Sequence, residues 1–205
     1  MRVIHICAGL IFGVTLHASL LFDTGPGNTT TSRPQGGAFN GVGTPVTVST
    51  TTNLTNIAMD IMMPNGGNIT YMIWDSSDTT LLFSETQALA PTGSLSFVLS
   101  TAFSFALVAG QTYNFGVISD ATTNGAFTIS DFSTSATFTQ NGLSSICCNT
   151  NYNNFASPTP NGGGGATIAL DLYGTQASAP EPGTFAMFGG AALALIGYRR
   201  IRRGN

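Results

Sequence analysis

The sequence predicts an all-β protein, an antiparallel β-sandwich of jelly-roll-like type, and three observations carry that reading. Apolar residues recur at every second position through the middle of the chain, as in Ile57, Met59, Ile61 and Met63. Short runs of this kind are separated by turn-forming Gly, Pro, Asn and Asp clusters. No stretch between Asp23 and Ser178 repeats its apolar residues at helical spacing. About nine or ten short strands follow from the count of alternating runs.

Taken in order, residues 19–43 are rich in Gly, Thr, Asn and Pro and read as an irregular lead-in, with at most a short strand near Ala38 and Phe39. The sandwich is expected over 44–176. Leu54–Met63 and Asn68–Asp75, separated by Pro64-Asn65-Gly66-Gly67, read as a hairpin. In Tyr71-Met72-Ile73-Trp74 both faces are apolar, which suits a central strand. Asp75-Ser76-Ser77-Asp78 turns the chain into a strand from Thr80. Leu95, Phe97 and Leu99 alternate with polar or smaller residues, as do Phe103, Phe105 and Leu107, then Tyr113, Phe115 and Val117. Phe127, Ile129 and Phe138 follow, and Ile168, Leu170 and Leu172 mark the last strand. Residues 141–165 interrupt this pattern with two cysteines, two prolines and four consecutive glycines, the composition of a long flexible loop.

Charge narrows the function. Between Ser19 and Ser178 eight carboxylates face one arginine, Arg33, and the chain has no lysine, so this region carries about −7. Nucleic acid is excluded as a partner, because phosphate contacts need lysine and arginine.

The two ends differ from the middle. Residues 1–18 begin with Arg2, continue through an apolar run from Ile4 to Leu16 and reach the small residues Ala18 and Ser19, the pattern of a signal peptide cleaved after Ala18. Residues 177–205 form a tail. Pro180-Glu181-Pro182 leads into a charge-free run over 184–198, and Arg199, Arg200, Arg202 and Arg203 follow. As a helix the run spans roughly 22 Å, less than the ~30 Å hydrocarbon core, so it needs interfacial anchors. Tyr198 and the arginines supply them and place the C-terminus on the cytoplasmic side of the membrane. The two prolines keep the motif extended.

This tail is similar to the PEP-CTERM sorting signal of Gram-negative bacteria, in which a Pro-Glu-Pro motif, a short transmembrane helix and an arginine cluster occur in that order. The resemblance implies that Pro180, Glu181 and Pro182 are recognised by exosortase, a membrane-embedded, cysteine protease-like enzyme. It further implies a mature protein at the cell surface or in the extracellular matrix, associated with exopolysaccharide and biofilm.

Chemistry-bearing candidates in the exported region are few. His5 and His17 are the only histidines and both fall within 1–18, which leaves no Ser-His-Asp or Cys-His arrangement. Cys147 and Cys148 are adjacent; they can form a vicinal disulfide, pair between molecules or stay free, and no metal site or cofactor is expected. Asp75, Asp78, Asp120, Asn124 and Asp131 suit turns better than a Ca²⁺ site, because no ligand spacing repeats. Tyr71 and Tyr113 are in phase with core residues, whereas Tyr152 and Phe155 lie in a polar loop and are the expected glycan contacts. The reading is an exported, non-catalytic surface or matrix protein. A carbohydrate-binding module acting through Tyr152 and Phe155 is the alternative, and a secreted glycan-active enzyme a distant third.

Overall fold

The computed structural model describes residues 18–34, 39–123, 125–133 and 136–176. Among them are sixteen strands and no helix. In chain order the strands are β1 (Ser19–Asp23), β2 (Thr29–Arg33), β3 (Gly41–Val48), β4 (Thr52–Met62), β5 (Gly67–Asp75), β6 (Leu81–Leu89), β7 (Ser96–Leu99) and β8 (Phe105–Leu107). They continue with β9 (Thr112–Ser119), β10 (Phe127–Phe132), β11 (Phe138–Gln140), β12 (Leu143–Ser145), β13 (Thr150–Asn153), β14 (Thr159–Gly163), β15 (Thr167–Ile168) and β16 (Leu170–Gln176).

The strands form two eight-stranded antiparallel sheets. The first runs β1-β16-β4-β10-β15, with β2 on β10 and with β7 and β8 on β4. The second runs β11-β12-β3-β9-β5-β6, with β13 on β3 and β14 on β13. Period-two alternation turns one face of each sheet inward. Phe22, Ile57, Met59, Ile61, Phe127, Ile129, Leu170 and Leu172 from the first sheet meet Val42, Val46, Ile69, Tyr71, Ile73, Phe115 and Val117 from the second in one buried cluster. Thr44 crosses between the layers, its hydroxyl accepting from the Ile168 N–H at 2.9 Å.

A glutamine amide latches each side of the sandwich. On one side Gln140 accepts from the Asp23 N–H and donates to the Asp23 carbonyl, both at 2.9 Å, which ties β11 to β1. On the other, Gln87 of β6 accepts from Thr101 N–H at 2.9 Å and donates to the Leu99 carbonyl at 3.0 Å. A primary amide has one acceptor and two donors, so it can serve both polar groups of a backbone edge.

Three expectations about local structure are corrected. Residues 19–43 are not an irregular lead-in, since they hold β1, β2 and the start of β3. β1 closes the first sheet by pairing with the last strand, Ser19 opposite Gly174. Residues 141–165 are not a structureless loop either: β12 and β13 both dock on β3, and β14 returns on β13. Two of the four consecutive glycines there serve close approach. A Cβ at Gly163 would stand 2.6 Å from the Asn149 carbonyl oxygen, and one at Gly164 would stand 2.7 Å from Asn149 Oδ1. Finally, Leu54–Met63 and Asn68–Asp75 do not form a hairpin. β4 lies in the first sheet and β5 in the second, so Pro64–Gly66 carries the chain from one layer to the other.

The expected signal peptide over 1–18, apart from Ala18, and the expected membrane helix over 184–198 lie outside the described residues. Among the described residues no helix is long and apolar enough to cross a membrane.

Candidate functional sites

The outer face of the second sheet carries the most organised cluster outside the core. Trp74 and Met72 of β5, Ile118 of β9 and Tyr152 of β13 form a separate buried group, with Phe155 packed against it. Glycine makes the cluster possible. Gly41 and Gly43 of β3 and Gly116 of β9 leave the sheet surface bare between β13 and β5. The Tyr152 ring lies across this gap, and a Cβ at Gly116 would stand 2.7 Å from its Cε2.

Asp78 closes the cluster from the turn between β5 and β6. Its backbone is left-handed, with φ of 56°, a conformation Asp tolerates better than most residues. Its carboxylate accepts from Asn114 Nδ2 at 2.8 and 3.1 Å, from Thr150 Oγ1 at 2.7 Å and from the Tyr152 hydroxyl at 3.4 Å. Thr150 Oγ1 in turn accepts from Asn114 Nδ2 at 2.7 Å. Burial first, then the charge of Asp78 and the hydrogen bond to it, raise the Tyr152 phenol far above its ordinary pKa, so it stays protonated. The arrangement holds three strands and a turn together.

Tyr152 is therefore a correction to its expected role. It is 0% exposed and cannot stack on a sugar ring in this conformation. Its polar neighbours predict an exposed side chain, but the glycine gap in strands far away in the chain offers it a buried seat. Phe155 is half-buried against the same cluster.

Cys147 and Cys148 form a vicinal disulfide between β12 and β13, with S–S at 2.07 Å. Cys148 is exposed and Cys147 half-buried, with its sulfur 3.6 Å from the Gly165 carbonyl oxygen.

A carboxyl group lies on the outer face of the first sheet. Asp171 of β16 stands directly across from Asp23 of β1, with the Tyr173 hydroxyl 3.4 Å from Asp171 Oδ2. Burial is the main influence on Asp171; a hydrogen bond with Asp23 and the charges of Asp23 and Asp60 act in the same direction, and together they push its pKa up to about 7. Asp60 is likewise raised by burial, opposed by a hydrogen bond from Ser130. This pairing escaped the sequence reading. Asp23 and Asp171 lie 148 positions apart, and only the closure of the first strand on the last one joins them. Among the described residues no group of three or more His, Cys, Asp or Glu side chains has a geometry that could hold a metal ion.

The tail residues Pro180, Glu181, Pro182, Arg199, Arg200, Arg202 and Arg203 lie outside the described residues. Residues 178–203 match the family described as the PEP-CTERM protein-sorting motif. The chain thus carries a sorting tail of the kind processed by exosortase, which implies export and a membrane-anchored precursor sorted to the surface. No curated protein matches the chain.

Proposed function

We propose that this chain is a non-catalytic structural protein of the cell surface or extracellular matrix, released from the inner membrane when exosortase recognises Pro180-Glu181-Pro182. The observation that carries the reading is the sorting motif at residues 178–203. The structure is consistent with a passive role for the exported part. Its polar clusters hold strands and turns together: Asp78 binds Asn114 and Thr150, and Asp120 accepts from Asn68 N–H and Nδ2. The start of β1 at Ser19 agrees with a leader that ends at Ala18. The association with exopolysaccharide and biofilm follows from the resemblance of the tail.

Glycan binding through Tyr152 and Phe155 has less support, because the first of these rings is buried.

Glu181→Ala in the native host tests the proposal. The variant should accumulate as precursor in the inner membrane fraction. Processing and release at the wild-type rate would contradict recognition of the motif.

A further inference from the structure

β6 is the end strand of the second sheet, and no described strand pairs with its outer edge. Long free edges are templates for pairing with another chain, and proteins protect them with bulges and inward-pointing charges. β6 has both devices. Its register against β5 slips at Leu82, between Phe83 opposite Ile73 and Leu81 opposite Trp74. At its centre is Glu85, which stands opposite the buried Tyr71 and so points into the sandwich. Glu85 Oε2 is buried and has no hydrogen-bond partner.

The sequence of β6 is close to self-complementary about that residue. In an antiparallel pair of two β6 strands centred on Glu85, Ser84 meets Thr86, Phe83 meets Gln87 and, up to the slip in register, Leu82 meets Ala88. Hydroxyl pairs and aliphatic pairs of this kind favour neighbouring strands. Leu82 is 41% exposed in the single chain, so the pairing gives it cover. Such a contact is isologous and closes on itself, which limits it to a dimer. One pair opposes it: Glu85 against Glu85, two like charges directly across the two-fold axis.

We propose that β6 is a homodimer edge, on which two copies of this chain join their second sheets antiparallel about Glu85, and that ionised Glu85 keeps them apart. Protonation of one or both carboxyls removes the repulsion and supplies a donor for the buried Oε2. Burial raises the Glu85 pKa, which favours the neutral form. Tyr71 faces Glu85 from β5 and stays protonated, its pKa raised by burial and by the Glu85 charge. Asp75, at the far end of β5, is the one carboxylate on that strand; β7 and the segment 100–104 contribute no charged side chain.

Sedimentation of the full chain in mild detergent at about pH 7.5 and about pH 4.5 tests the proposal. Wild type should associate on the order of tenfold more tightly at the lower pH. Glu85→Gln should associate equally at both, and Glu85→Lys at neither. Because the tail can bring copies together in a micelle, register is read separately. Two differently tagged copies, one Ser84→Cys and one Thr86→Cys, both also Cys7→Ser and Glu85→Gln, should cross-link to each other at neutral pH through a short thiol-reactive linker. Equal association of wild type and Glu85→Gln at neutral pH would overturn the proposal. So would a dimer in which these two positions fail to cross-link. Circular dichroism of each variant separates loss of association from loss of fold.

Discussion

The Tyr152 ring lies beside that of Trp74 with centroids 5.8 Å apart and planes 15° from parallel. The two residues come from β13 and β5, which have β3 and β9 between them in the sheet. The contact therefore spans the outer face and ties the hairpin of β13 and β14 to the centre of the layer. Aromatic pairs of this kind add about 0.5–1.5 kcal/mol to the area they bury.

Gly116→Ala tests whether that seat depends on a bare sheet surface. The new Cβ would stand 2.7 Å from Tyr152 Cε2 and 3.3 Å from the Met72 methyl, so the ring must move. The expected cost is about 1–3 kcal/mol, read from chemical denaturation. Tyr152→Ala should cost more, about 3–5 kcal/mol, because it empties a fully buried site. An unchanged midpoint for both would show that the cluster does not hold the hairpin.

Asp78→Ala removes the acceptor shared by Asn114 and Thr150. Asn114, Thr150 and the Tyr152 hydroxyl then lose this acceptor on a covered surface, at about 1–3 kcal/mol. Hydrogen exchange should quicken in Thr150–Asn153 while the amides of β4 keep their protection, since β4 lies in the other sheet. Uniform loss across both sheets would mean that the turn stabilises the whole sandwich rather than the hairpin.

Much of the architecture was legible because alternation reports directly which side chains face inward. Ile57, Met59 and Ile61, or Tyr113, Phe115 and Val117, place themselves in the core by phase alone. Pairing was not legible. The turn at Pro64–Gly66 has the composition of a hairpin, yet it links two sheets, because local turn chemistry does not specify which layer the next strand joins. Residues 141–165 looked like a loop because their strands are short and polar, and the glycines that allow Asn149 to approach resemble those of a linker. Tyr152 was misplaced for a related reason: its burial depends on Gly41 and Gly116, more than 30 positions away in the chain. The sorting motif was legible because it is a linear signal, whose order and spacing lie wholly in the sequence.

Asp171→Asn tests the carboxyl pair. The native Asp171 has its pKa raised from 3.8 to about 7, so the folded state holds the proton more tightly than the unfolded chain. Its contribution is fully present below the ordinary carboxylate range and is lost as pH rises towards about 7. The amide that replaces the carboxyl carries no charge at any pH. The variant should therefore flatten the decline in melting temperature between acid and neutral pH and melt a few degrees above wild type at slightly alkaline pH. A parallel decline in both proteins would place the cause elsewhere.

The central claim concerns the tail, and the intact mass of the protein recovered from its native host tests it most directly. The account predicts an extracellular or surface-bound species that starts near Ser19 and ends close to Pro180-Glu181-Pro182, without the arginine cluster. A soluble cytosolic protein that begins at Met1 and still ends at Asn205 would contradict it.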